Sequence, residues 1–351
     1  MPQLRRNNVL TDVTALTFEN YLPTLYDNIS KGTPFLNHLN NMGSVEMKDG
    51  GKRCDVEIQY KRSGQVGTFN KNGLVPTESI DLTTRASYEW GLMVGGLAIY
   101  DVDRADNAGQ SQIIDMVSTR IMSLEDEINE RFSTELLNSD TAKETGTDDT
   151  MNRAMDAGGT FCSLGHLIAA PNTVAVGGIR PNDSSNFNQT FWNARTRTDR
   201  PTNYNYNTSL RKDLSDFCRT VANNQQKPPD LILTNQETYG EIEDIAWDKA
   251  QLESRGGTAE VDFQFPQFMF GPSVVRYDNT MDEVGQANNH KNRIYLINSD
   301  CIKFLKMSHL WGDKIGPVRD QTTMLDYWQV KFRGQLVTTN RRFTGWWDQA
   351  A

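Results

Sequence analysis

Apolar side chains recur along residues 111–138 at Ile114, Val117, Ile121, Leu124, Ile128, Phe132 and Leu136, in steps of 3, 4, 3, 4, 4 and 4, with no Pro or Gly between them. This spacing lays one stripe along an amphipathic helix. Ser111, or Asn107 ahead of Gly109, can cap its first turn, and Asn138, Ser139 and Asp140 offer the local hydrogen bonding that ends a helix. At about 1.5 Å per residue the rod reaches roughly 40 Å, more than a small domain needs for its own core. Its other side carries Glu125, Asp126, Glu130 and Glu135 and is expected to face water or a basic surface.

Ahead of the helix the period changes to two. Cys54, Val56, Ile58 and Tyr60 alternate with Asp55, Glu57 and Gln59, and Tyr88, Trp90, Leu92 and Val94 repeat the pattern in a return limb. That limb is expected to run on through Leu97, Ile99 and Val102 after a break at Gly95-Gly96. Between the limbs, Gly64, Gly67, Gly73 and Pro76 punctuate a polar connection too long for a tight hairpin loop. A two-stranded ribbon is marginal alone in water, so an arm of this length needs a surface to lie on. We expect a copy of the same molecule to supply it; the alternative is the arm's own chain.

Basic residues gather around the arm at Lys52, Arg53, Lys61, Arg62, Lys71 and Arg85. They read either as a charged sheet edge that discourages strand pairing or as a surface for an acidic neighbour. On the second reading the intersubunit candidates are Arg62, Lys71 and Arg85 on the arm and Glu125, Asp126 and Glu130 on the helix.

The rest of the chain alternates strands and helices. Residues 173–176 form a strand candidate and 209–223 a helix. Leu231 to Thr234 reads as a buried strand leading into a helix through Ile242, Ile245 and Trp247, and two further strand candidates lie at 273–277 and 293–297. Residues 325–347 return to β character, with Trp328, Val330 and Phe332 on one side of the pleat and Gln329, Lys331 and Arg333 on the other. Near the start, Phe18, Tyr21, Leu22, Leu25, Tyr26 and Ile29 have short-helix spacing.

Composition narrows the function. The 351 residues, 37% hydrophobic, hold one large or two medium domains. A net charge of -9 argues against a free-standing nucleic-acid binder, yet suits a container whose lining lets packed DNA slide. Cys54, Cys162, Cys218 and Cys301 lack metal or redox spacing, and the four histidines form no ligand pair on one helix face. Cys162 and His166 stand four apart, but Gly165 weakens a helix joining them, and Asp49-Gly50-Gly51-Lys52-Arg53 lacks the upstream Gly and following Ser or Thr of a phosphate loop. No enzyme, cofactor or metal site is expected. Residues 1–8 lack a secretory apolar core and no stretch has the length and apolarity of a membrane span, so use in a cytoplasm is expected, with the Asn28-Ile29-Ser30 sequon unmodified.

Taken in order, an N-terminal arm, a β arm, a long helix, an α/β unit and a closing β segment resemble the major capsid protein of tailed bacteriophages, a fold shared with encapsulins. Residues 228–239 resemble its strand-into-helix step, and residues 327–347, with Arg333-Gly334 and Asn340-Arg341-Arg342, its closing β segment. The resemblance implies an α+β fold: N-terminal arm 1–45, extended β-hairpin E-loop 46–106, peripheral domain 107–170 with spine helix 107–139, axial α/β domain 171–315, and a return to the peripheral domain at 316–351. It implies pentamers and hexamers building an icosahedral shell around double-stranded DNA bound without sequence specificity. Scaffolding, portal and decoration proteins are the implied partners, and the virion, assembled in host cytoplasm, the implied location. Some relatives join an E-loop lysine covalently to an asparagine, and Lys71 has a suggestive place. No long charged scaffolding helix precedes residue 45, so scaffolding would be removed or separate. An encapsulin-like compartment and an α/β enzyme are the alternatives.

Overall fold

The computed structural model describes residues 34–60, 81–100, 110–137, 161–169, 175–179, 192–200, 209–222, 227–250, 269–281, 293–320 and 325–349. Helix α1 (Pro34–Asn41) leads into β1 (Val45–Lys48), the ribbon strands β2 (Arg53–Gln59) and β3 (Thr83–Glu89), β4 (Gly91–Tyr100) and the long helix α2 (Gln110–Leu137). After a π-helical turn (Gly165–Ala169) come β5 (Arg195–Arg200), α3 (Ser209–Ala222), β6 (Leu231–Thr234), α4 (Gln236–Ala250), β7 (Met269–Phe270), β8 (Ser273–Tyr277) and β9 (Ile294–Ile297). Two long strands, β10 (Ile302–Asp320) and β11 (Leu325–Thr338), a 3-10 turn (Arg341–Phe343) and β12 (Gly345–Gln349) complete the described chain.

The strands form three sheets. One has the order β1-β10-β11-β4, a second β5-β12-β9-β6-β8-β7, and β2 pairs with β3 in a two-stranded ribbon. The predicted helix is present within a residue or two of its expected ends. Its stripe residues Ile121, Leu124, Ile128, Phe132 and Leu136 are all buried against the four-stranded sheet. Phe132 lies 4.9 Å from Phe161 in a tilted contact and 5.8 Å from Trp311 edge-on between ring centroids, and Trp311 lies 5.4 Å from Phe332 edge-on, so aromatic contacts add to the area buried there. Glu135 does not face water as expected: it is 8% exposed, and the Arg131 guanidinium one turn back holds it at 2.7 Å. The charge is paired where the helix surface turns inward.

Gly95-Gly96 is no break. Strand β4 runs through both, in unbroken antiparallel register with β11 from Gly91↔Gly334 to Tyr100↔Leu325. A Cβ at Gly95 would sit 2.8 Å from Ile128 Cδ1 and 3.2 Å from Leu124 Cδ1, so the missing side chain is what lets α2 approach the sheet. Residues 91–100 therefore belong to the four-stranded sheet rather than to the projecting return limb.

Strand β10 contradicts simple alternation. Its register against β11 shifts between Lys306 and Trp311, Trp311 and Asp313, and Ile315 and Val318. Each bulge re-aims the following side chains, so the period of two is lost. Gly316 takes φ 131, and a Cβ there would come 2.8 Å from the Tyr327 carbonyl. Pairing also moves the expected division of the α/β unit: the chain leaves the six-stranded sheet at Ile302, not after 315, and β12 returns to that sheet between β5 and β9.

Strands β6 and β9 are buried on both faces, as central strands of a covered sheet must be. Leu210, Leu214, Phe217 and Val221 of α3 cover Ile232, Ile294 and Leu296 on one face, while Leu231, Leu233, Tyr295 and Ile297 join the main core on the other. Asn235 starts α4 by accepting the Thr238 N–H at 3.1 Å. Arg293 and Asp348, both buried, pair at 3.0 Å and fasten β12 beside β9.

Candidate assembly surface

The ribbon was expected to leave its faces for another molecule to cover. Its described base does otherwise. Cys54, Ile58, Ala86 and Tyr88 are buried in the chain's own core, the Tyr88 hydroxyl donates to the Thr338 carbonyl at 3.3 Å, and the Ser87 N–H donates to the Gly177 carbonyl at 3.0 Å. Trp90 closes the ribbon's foot, its indole N–H donating to the Gly51 carbonyl at 2.9 Å.

The outward face of that base is polar and satisfies itself. Arg53 pairs with Glu89, and Asp55 accepts from Arg85 at 3.3 Å and from the Ser87 hydroxyl at 2.6 Å. Arg85 is thus exposed, as a contact residue needs, but its charge is already met by a cross-strand acid. Arg62 and Lys71 lie outside the described residues, as do the tip of the arm and the short N-terminal helix pattern.

The four-stranded sheet shows the reverse. Its edge strand β4 points Gly95, Leu97 and Ile99 at the core and leaves Leu92, Val94, Gly96, Ala98 and Tyr100 exposed. Leu92 is 46%, Val94 48% and Tyr100 51% accessible, large values for apolar side chains in a single row. Register places Arg333 beside Leu92, Lys331 beside Val94, Gln329 beside Gly96 and Tyr327 beside Ala98. Asp313 of β10 stands opposite Lys331 on its other flank. The sequence had placed Lys331 and Arg333 on the side of the pleat opposite Trp328, Val330 and Phe332; it hid the apolar row, because the same alternation suited an arm limb.

On α2, Asp126 and Glu130 are exposed and Glu125 is half-buried. Among the described residues neither Asp126, Glu130 nor Lys331 has an ion-pair partner, in contrast to the ribbon arginines. Met122, one turn before Asp126, is 56% exposed. Arg120 donates to the Ala98 carbonyl at 2.6 Å and covers the β4 edge at that point.

Chemistry elsewhere is muted. Cys162 and His166 are both enclosed in the core, Cys162 just before the π-helical turn and His166 within it. Burial pushes the thiols of Cys54 and Cys218 up to about 12 and that of Cys301 up to about 11, so these remain protonated and unreactive at neutral pH. Among the described residues no group of three or more His, Cys, Asp or Glu side chains could hold a metal ion, and no helix is long and apolar enough to cross a membrane.

Comparison of the whole chain with known proteins places this geometry. No protein-family model matches the sequence, and no curated protein does. Solved structures match along nearly the full length. A chain of the Cyanophage A-1(L) capsid asymmetric unit has 15% identity and a TM-score of 0.61, with 91% of this chain and 93% of that chain covered. A chain of the capsid of a native GTA particle has 11% identity and a TM-score of 0.53, covering 89% and 90%. The capsid of Myoviridae Phage XM1 gives 9% identity and a TM-score of 0.50, covering 88% and 90%. The superposition over nine-tenths of the chain shows the architecture: this chain has the α+β fold of tailed-phage capsid subunits.

Proposed function

We propose that the protein is a major capsid protein, a non-enzymatic subunit that assembles through pentamers and hexamers into an icosahedral shell around double-stranded DNA. The observation that carries this reading is the match to a cyanophage capsid chain over nine-tenths of both chains. An exposed apolar row on a sheet edge supports it, since soluble monomers seldom leave such a row uncovered. In this reading the ribbon is the root of an E-loop arm within 46–106, α2 is the spine of the peripheral domain, and the six-stranded sheet is the axial domain. Head-to-tail contacts between different surfaces close into rings, and many weak contacts then hold a lattice together. Scaffolding, portal and decoration proteins would be its partners, and the virion its place, with assembly in host cytoplasm.

The test is direct. Purified protein run on a sizing column and viewed by electron microscopy should give closed particles of megadalton size. A compact dimer or monomer under all assembly conditions would remove the shell reading. Nuclease-protected double-stranded DNA inside particles made during infection separates a genome container from a protein-filled compartment.

A further inference from the structure

Three features of the described surface lack an explanation within one subunit: the apolar row of β4, the unpaired Lys331 beside it, and the unpaired acids of the spine. We infer that the first two on one subunit receive the third from a second copy, so that the ridge Met122–Asp126–Glu130 lies along the Leu92–Val94–Gly96 row. This inference rests on the shell reading above and names one contact within it.

Spacing supports the match. Successive ridge residues four apart on a helix rise about 6 Å, and successive outward residues two apart on a strand rise about 6.7 Å. The two rows therefore stay in step over three positions. Setting Asp126 against Lys331 brings Glu130 to Arg333, two strand residues away, and Met122 to Gly96 and Gln329 in the other direction. Gly96 is the one position in the row without a side chain, and nothing lies within 4 Å of where its Cβ would be. It forms a notch between Val94 and Ala98, of a width suited to the flexible thioether of Met122.

Charge points the same way. Among the described residues the ridge's two carboxylates have no ion-pair partner, and Arg131, the nearest cation on the helix, is held by Glu135. On the sheet, Lys331 and Arg333 flank the apolar row. Asp313 opposes Lys331 on the β10 side and reduces the net positive charge; two cations against one acid leave it positive. The ribbon base offers no such site, since its arginines are spoken for. Because the two surfaces differ, the contact is head-to-tail and repeats from copy to copy.

The test is a pair of exchanges in the full-length chain, with particle yield read by sizing column and electron microscopy and folding read by the unfolding midpoint. Lys331→Glu and Asp126→Lys should each lower particle yield roughly tenfold or more, since a like-charge contact is repeated at every copy. Combining them in one chain should restore it. Gly96→Met should lower yield by filling the notch, and adding Met122→Ala should recover it. This second exchange serves if a charge variant fails to fold, because Gly96 borders open space. Wild-type yields from the single variants, or single defects that neither double variant rescues, overturn this contact while leaving the shell intact. Failure of the unaltered chain to form particles removes both.

Discussion

The ribbon β2–β3 and the edge strand β4 are consecutive in sequence and carry the same alternation of apolar and polar residues, yet they solve opposite problems. The ribbon turns its apolar residues onto its own chain and pairs its outward charges across the strands. Strand β4 gives one apolar row to the spine and leaves a second row, of Leu92, Val94 and Tyr100, without cover. Alternation reports that a strand has two faces. It does not report which apolar face is inside when both are apolar.

The largest effect that would break this comparison is at the ribbon's foot. Tyr88→Ala removes a fully buried ring together with its hydrogen bond to Thr338 and should cost about 3–5 kcal/mol in denaturant unfolding. A cost under about 1 kcal/mol would mean that the ribbon is not anchored as described. Next, Gly95→Val drives two methyl groups toward Ile128 and Leu124 and should cost about 1–3 kcal/mol, whereas Val94→Thr on the opposite face should stay within about 0.5 kcal/mol. Equal costs at the two positions would erase the distinction between the faces of β4.

A third test sharpens the contrast between buried and surface charge. Burial alone would raise the Asp230 carboxyl, but hydrogen bonds from His38, at 3.1 Å, and Ser299, at 2.8 Å, outweigh it and hold it below the usual carboxylate range. Its stabilisation is therefore full above the unfolded value of about 3.9 and is lost as pH falls through the lower folded value. Asp230→Asn should cost about 1–3 kcal/mol at neutral pH and flatten the acid limb of a stability–pH curve. An acid limb identical to wild type would exclude the pair from that role. The smallest effect is expected from Arg85→Ala, whose exposed pair with Asp55 should contribute about 0–1 kcal/mol to stability, less in high salt.

Much of this architecture was legible because one period ruled it. The spine stripe, the buried strand Leu231–Thr234 and the strand Ser273–Tyr277 were read from the chain within a residue or two of their observed bounds. The ribbon's buried face at Cys54 and Ile58 was legible for the same reason. Three kinds of residue defeated the pattern. Gly95 looks like a breaker but marks close approach of a helix, a fact that lives in tertiary structure. The bulges of β10, with Gly312 and Gly316, scramble alternation over 19 residues, so that strand was not foreseen as one element. Arg85 looked like a free cation because its partner Asp55 is 30 residues away in sequence. Charge pairing across strands is invisible without register, and the Arg85–Asp55 pair came into view only with the β2–β3 pairing.

The place of β12 between β5 and β9 has a consequence for how the chain is made. These strands come from residues 345–349, 195–200 and 294–297, so the six-stranded sheet stays split until the final strand has left the ribosome. Pairings of such long separation form late and slowly. Until then β5 and β9 keep open edges, and the growing chain is exposed to mispairing there.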